Sequence, residues 1–280
     1  MKLEILEHLT EMNSKAPPLL FIHGAFHGAW CWKENFLPYF SSKGFHSYAL
    51  SLRGHGESEG REEIHSFSLS DYMDDVLEVM QFLKNKPVLV GHSMGGAIVQ
   101  KILHLHQDRI KAVVLIASVP PNGMMKDELR LTFASFIQRI QLSLFGRSNY
   151  QNNMTKLFFS KELPVKKRNE LIRFLQSESN KARKELIKQI VPKSIGTKVP
   201  MLILGSKKDY IFSEKTTIHI GENYKTKPVI FPNISHDMML DPNWKTVAEE
   251  ILSFLYETTS KKEEREKDES TRFLPNQHNC

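Results

Sequence analysis

Cysteine is nearly absent: Cys31 and Cys280 stand at opposite ends of 280 residues, which leaves no disulfide framework and fits a reducing compartment. No apolar run approaches membrane-spanning length. Residues 1–13 mix acidic with apolar side chains and lack the basic start and apolar core of a secretory leader, so a cytoplasmic location is the expectation. Composition also excludes global disorder. A hydrophobic share of 40% and a charged share of 25% are those of an ordinary soluble globular protein, long enough for one large α/β domain, or for such a domain carrying an insertion.

Positive charge is not spread evenly. Residues 121–198 hold 16 Lys and Arg against 6 Asp and Glu, so this segment carries +10 of a chain total of +6 and the remainder is net −4. No aromatic platforms interleave the basic residues and no reader module is recognisable, which argues against nucleic acid as a partner. The segment is either a solvated helical surface or a weak contact for anionic substrates or an anionic lipid surface. Oligomeric state is not legible.

What the chain does have is alternation. Short aliphatic runs at 19–23, 47–52, 88–91, 112–117, 201–205 and 228–231 are apolar on both faces, as buried parallel strands require. Helical periodicity lies between them. Ser70 and Asp71 can cap a helix over 72–83 that places Tyr72, Val76, Val79, Met80 and Leu83 on one face. Further helices are expected over 95–106 and 244–256. The fold class is therefore α/β, a doubly wound, mostly parallel sheet with its functional groups at the carboxyl ends of strands.

Two stretches break this pattern. Residues 121–198 have no buried-strand signal, and 131–144 and 171–190 look helical and amphipathic. They read as a helical cap inserted into a core made of 1–120 and 199–257. The apolar stripe of this cap, which includes Phe136 and Ile140, serves either as packing or as the wall of a substrate pocket. Residues 258–280, rich in alternating Lys, Glu and Arg, read as a frayed helix end and a disordered tail.

The chemistry centres on Gly91-His92-Ser93-Met94-Gly95, where an apolar strand meets a helix through a Gly-x-Ser-x-Gly turn. Glycines are needed because a serine on so tight a turn is strained and its neighbours must lack Cβ atoms. A serine hydroxyl needs a base to take its proton and a third group to orient that base. His236, in a polar loop after the last strand, is the candidate base. Asp209, in the loop after the 201–205 strand, is the orienting carboxylate, preferred to Asp237 and Asp241 because it comes from a separate loop. His23 and His92 read as loop-ordering residues. The backbone N–H groups of Ala25, after a strand ending in His-Gly, and of Met94, at the helix start, are the expected oxyanion donors.

Taken together, His23-Gly24-Ala25-Phe26-His27-Gly28-Ala29-Trp30, Arg53-Gly54-His55-Gly56, the Ser93 turn, Asp209 and His236 resemble the α/β-hydrolase superfamily over about residues 17–257. The first stretch resembles the methylesterase and hydroxynitrile lyase branch. Arg-Gly-His-Gly-x-Ser and the helical cap resemble esterases, monoglyceride lipases and lysophospholipases. Many such relatives carry Asp two residues before the Arg-Gly-His-Gly turn, and here that residue is Ser51, which puts the anchoring of the loop in doubt. The resemblance implies hydrolysis of a small-molecule carboxylic ester, lipid-like or apolar acyl esters included, by Ser93, His236 and Asp209, with no metal or organic cofactor called for. A hydrophobic substrate group is expected against Phe26, His27, Trp30 and Trp32 and the cap's Phe136 and Ile140. A cofactor-free lyase and a ligand-binding receptor on the same fold are the alternatives.

Overall fold

Seven strands form one sheet in the order β1-β3-β2-β4-β5-β6-β7: β1 Glu4–His8, β2 Leu19–Ile22, β3 Ser47–Ser51, β4 Val88–His92, β5 Ala112–Ile116, β6 Met201–Ser206 and β7 Val229–Phe231. The computed structural model describes residues 1–12, 15–125, 127, 157–192 and 196–272, from 259 onward by backbone alone. β2 to β7 run parallel, while β1 pairs antiparallel with β3, Glu4 opposite Ser51. β1 is not among the strands expected from sequence, because an edge strand with alternating exposure lacks the continuous apolar run of its buried neighbours.

Successive residues of a strand face opposite sides of a sheet, and this splits the interior in two. Leu19, Phe21, Val88, Val90 and Val114 pack on one face with Trp32 of α1 (Trp30–Lys33), Phe36 and Phe40 of α2 (Phe36–Ser42) and Val247 and Ile251 of α8 (Trp244–Arg272). Leu20, Ile22, Leu89, Val113 and Leu115 pack on the other with Tyr72 and Val76 of α3 (Leu69–Phe82) and Ile98 and Ile102 of α4 (Met94–His106). The chain goes from β2 outward to β3, then returns to place β4 on β2's other side. That reversal opens a crevice at the carboxyl ends of β2 and β4, where ligands bind in open α/β sheets.

Several boundaries differ from expectation for local reasons. The cap of α3 is Ser68, not Ser70 with Asp71. Ser68 is extended, its side chain accepts the Asp71 N–H, and the Asp71 carboxylate accepts the Ser68 N–H, a reciprocal box that starts the helix three residues early. The expected helix over 171–190 is two helices, α5 (Val165–Phe174) and α6 (Asn180–Leu186). Between them Ser179 caps α6 by accepting the Lys181 and Ala182 N–H groups. A last connecting helix, α7 (Glu214–Tyr224), covers β6. Where a frayed end and disorder were expected after 257, α8 continues to Arg272, and residues 273–280 lie outside the described residues. Among the described residues no helix is long and apolar enough to cross a membrane.

Phe21 sits at the middle of the first layer, fully buried with ring centroids 5.0, 6.1 and 5.8 Å from Trp32, Phe36 and Phe40. Phe21→Ala is expected to cost about 3–5 kcal/mol, seen as a lower urea midpoint at unchanged slope. A loss below about 1 kcal/mol would show that the layer collapses into the cavity.

Candidate active site

Ser93 leaves β4 and caps α4 at φ 53 and ψ −114, a backbone region costing a non-glycine residue about 1–3 kcal/mol. The surroundings hold it there. Its N–H donates to the Ile116 carbonyl at 3.0 Å, and its own carbonyl accepts from Gly96 and Val119 at 3.0 and 3.2 Å. The turn is possible because α4 approaches β2 without side chains between them. A Cβ on Gly95 would lie 2.3 Å from the Ile22 carbonyl oxygen and 2.7 Å from that of His23, and one on Gly91 would lie 2.6 Å from the Gly95 oxygen.

His236 and Asp209 meet as the sequence order implied. The imidazole Nδ1 donates to Asp209 Oδ2 at 2.9 Å, both side chains buried. Asp209 Oδ1 in turn accepts the Ile211 and Phe212 N–H groups at 2.7 and 3.0 Å. With Nδ1 carrying the proton, Nε2 is left as an acceptor. It is buried and has no hydrogen-bond partner among the described residues, so no bond joins it to the Ser93 hydroxyl. The two residues are linked through His92, whose ring centroid lies 4.8 Å from that of His236 and whose Nε2 donates to the His236 carbonyl at 3.1 Å. The rival carboxylates are committed elsewhere. Asp237 accepts from His27 at 2.9 Å, and Asp241 accepts the Ser235 N–H and hydroxyl at 2.8 and 2.7 Å.

The loop after β2 carries Ala25, whose N–H is not taken up by any hydrogen bond recorded among the described residues. As the first residue of α4, Met94 has no carbonyl one turn earlier to receive its N–H. Three histidines frame this loop in three protonation patterns. His23 donates from Nδ1 to the Gly24 carbonyl and accepts the Leu52 N–H at Nε2. His92 donates from Nε2 alone. Burial first, then the charge of neighbouring histidines, holds both well below the usual histidine range. His27 differs, since Nδ1 faces the Ala25 carbonyl at 2.8 Å and Nε2 faces Asp237 Oδ2 at 2.9 Å. Both contacts require a proton. Burial is the largest single influence on His27 and opposes charge, but the charge and hydrogen bond of Asp237 and the Ala25 carbonyl outweigh it and raise its pKa.

The expected pocket is only partly recognisable. His27 is fully buried, with both nitrogens spent on the protein, so it offers no polar atom to a ligand. Trp32 is a core residue of the first layer, not a pocket wall. Phe26 and Trp30 are half-buried. Phe26 has φ 69 and packs 6.2 Å from Phe158, while Trp30 is stacked between His27 and Phe174. Phe136 and Ile140 lie outside the described residues.

Sequence reasoning overlooked two carboxylates. Glu178, between α5 and α6, is 3% exposed and receives Tyr72 Oη, the Ser179 N–H, His55 Nε2 and the Phe26 N–H at 2.9, 2.6, 3.1 and 3.3 Å. Next to it, Gln176 bridges the Gly54 carbonyl and the Gly56 N–H, and its own N–H donates to the Phe26 carbonyl. The only signal was a polar run, Gln176 to Ser179, inside an amphipathic stretch. The second is Glu4. Ser51 does not leave the Arg-Gly-His-Gly turn unanchored, because its hydroxyl accepts the Ala29 N–H and donates to Glu4 Oε2 at 2.6 Å, and that oxygen also accepts the Glu57 N–H. The carboxylate thus comes from β1.

Among the described residues, His92, His236 and Asp237 bring three potential metal-ligand atoms within 4.8 Å of one another. Their proximity follows from the His92 to His236 bond and the packing of Asp237 against His27.

A family model described as alpha/beta hydrolase fold matches residues 17–242. Norfluorocurarine synthase 2 from Strychnos sp is 36% identical over 107 residues, 37% of this chain and 39% of that protein. Methyl jasmonate esterase 1 from Vitis vinifera is 31% identical over 113 residues, 39% of this chain and 42% of that one. The chain thus spans about two fifths of the length of these curated relatives. In three dimensions it resembles an esterase from Exiguobacterium antarcticum with a TM-score of 0.70 and 20% identity, over 91% of this chain and 95% of the other.

Strain at Ser93 can be measured. Ser93→Gly is expected to stabilise the fold by about 1 kcal/mol in urea, the relief of strain exceeding the extra freedom glycine gains on unfolding. A glycine variant less stable than the parent contradicts the strain.

Proposed function

The chain belongs to the alpha/beta hydrolase fold family, and from that premise we propose that it is a serine hydrolase of carboxylic esters. Ser93 Oγ bonds to the ester carbonyl carbon while its proton passes to His236 Nε2. The charge that builds on the carbonyl oxygen is met by the N–H groups of Ala25 and Met94. Collapse expels the alcohol, which takes the proton from His236 and leaves an acyl-serine. Water, deprotonated by His236, attacks this ester and releases the acid and free Ser93. Asp209 keeps the imidazole in the tautomer that can accept.

The observation that carries the reading is the buried His236 to Asp209 bond of 2.9 Å, which leaves an unpartnered Nε2 on the loop tied to the nucleophile turn. Phe26, Trp30 and Phe174 around the same loop favour an apolar acyl or alcohol group. The exposed Lys161 and Lys166, at and before α5, extend the proposal to a weak contact with anionic substrates or lipid.

A fluorophosphonate probe should label the protein at Ser93, and Ser93→Ala should abolish both labelling and p-nitrophenyl ester hydrolysis. Labelling that persists in Ser93→Ala overturns the assignment. Asp209→Asn should lower kcat by about 10⁴-fold. Across a chain-length series of p-nitrophenyl esters, kcat/KM should rise from acetate to longer acyl groups, and a flat series contradicts the apolar pocket. Release of an aldehyde without acid would move the reaction to a lyase.

A further inference from the structure

The peptide that joins Ala25 to Phe26 is gripped at both edges. Its carbonyl oxygen accepts from His27 Nδ1 at 2.8 Å, and its N–H donates to Glu178 Oε2 at 3.3 Å. The neighbouring peptide carries the Ala25 N–H, so the orientation of that proposed oxyanion donor follows from the grip. His27 in turn holds Asp237 at 2.9 Å, and Asp237 is the residue immediately after His236. We propose that His27 and Asp237 are a charged positioning pair, which fixes the oxyanion loop against the loop of the general base so that both reach one substrate carbonyl. This inference rests on the ester hydrolysis proposed above.

The geometry demands the charge. Each nitrogen of His27 faces an oxygen that can only accept, and a neutral imidazole has one proton to give. Neither residue is exposed, so neither bond is shared with bulk water. A neutral His27 would keep its proton on the side of the carboxylate, the stronger acceptor, and release the Ala25 carbonyl. Asp237 shows the complementary behaviour: burial works against its charge most strongly, and the His27 imidazolium, through its charge and its hydrogen bond, still lowers its pKa. The groups around His27 from other elements are Glu178 before α6, His92 at the end of β4, His23 after β2 and the buried Cys31 of α1. Glu178 favours the charge on His27, whereas His92 and His23, both held neutral, do not oppose it with charge of their own.

The sign of the pH dependence follows. His27 has a raised pKa, so the grip is present below that pKa and is lost as pH rises through it. Hydrolysis should therefore show an alkaline limb in kcat, as His27 loses its proton. Asp237→Asn removes this limb. An asparagine amide can donate to a neutral His27 at Nε2 while Nδ1 keeps its proton on the Ala25 carbonyl, which preserves the grip without charge.

The experiment compares kcat and KM for p-nitrophenyl butyrate from pH 5 to 10 in the wild type, Asp237→Asn and the double variant His27→Phe/Asp237→Met. Replacing the whole pair by apolar groups leaves no unpaired buried charge, and a thermal melt confirms that the double variant is folded. Expected are an alkaline limb in the wild type that is absent in Asp237→Asn, and a kcat at least 10-fold lower in the folded double variant with KM changed less than 3-fold. An alkaline limb unchanged in Asp237→Asn, or a folded double variant with wild-type kcat, overturns the pair's role. Fluorophosphonate labelling of Ser93 separates the two failures. If Ser93 labels and the profiles do not differ, only this inference falls; if Ser93 does not label, the hydrolase reading falls first.

Discussion

One close approach governs the arrangement. The first turn of α4 lies so near the carboxyl end of β2 that a methyl group on Gly95 would stand 2.3 Å from a backbone oxygen. Closeness of this kind brings two loops, each after its own strand, into one crevice, and it obliges Ser93 to adopt a conformation its side chain resists. Other residues nearby carry similar strain. Phe26, in the loop after β2, and Ala117, immediately after β5, also have positive φ. The sheet's regular hydrogen bonding and two apolar layers supply the rigidity against which such strain persists.

Around this approach the polar groups are buried and densely paired. Among the described residues, the buried side-chain atoms without a hydrogen-bond partner are Trp30 Nε1, Trp32 Nε1, His92 Nδ1, His236 Nε2 and Asp237 Oδ1, and all but that of Trp32, which lies in the first apolar layer, belong to residues framing the crevice. Polar atoms left without partners in a dry interior are costly. Their concentration marks the crevice as a region where the fold gives up local stability, while the layers on either side of the sheet are packed mainly from apolar side chains.

The core strands were legible because being apolar on both faces is a strong and local signal. The Ser93 turn was legible because glycine at 91 and 95 answers a steric need that sequence spacing reveals directly. Asp209 and His236 could be placed since each falls in a loop at the carboxyl end of a strand. What escaped was side-chain pairing across long separations. Nothing local indicates that His27 is spent on Asp237, 210 residues away, or that Glu178 turns inward to meet Tyr72 and His55. Trp32 and Trp30 look alike on paper, and only the direction of α1 sends one into the core and leaves the other at the crevice. β1 escaped for the opposite reason, its modest alternation being indistinguishable from a polar terminus.

β1 also alters how the perimeter of the crevice is understood. Glu4 sits on the outermost strand, yet its carboxylate holds Ser51 and the Glu57 amide, and through Ser51 the start of α1. A strand at the margin of the sheet is therefore a strut for the rim of the crevice. Whatever loosens that margin is transmitted inward along Glu4 and Ser51 to Ala29, within the same stretch of chain as His27, so the integrity of the crevice extends to the first residues of the fold.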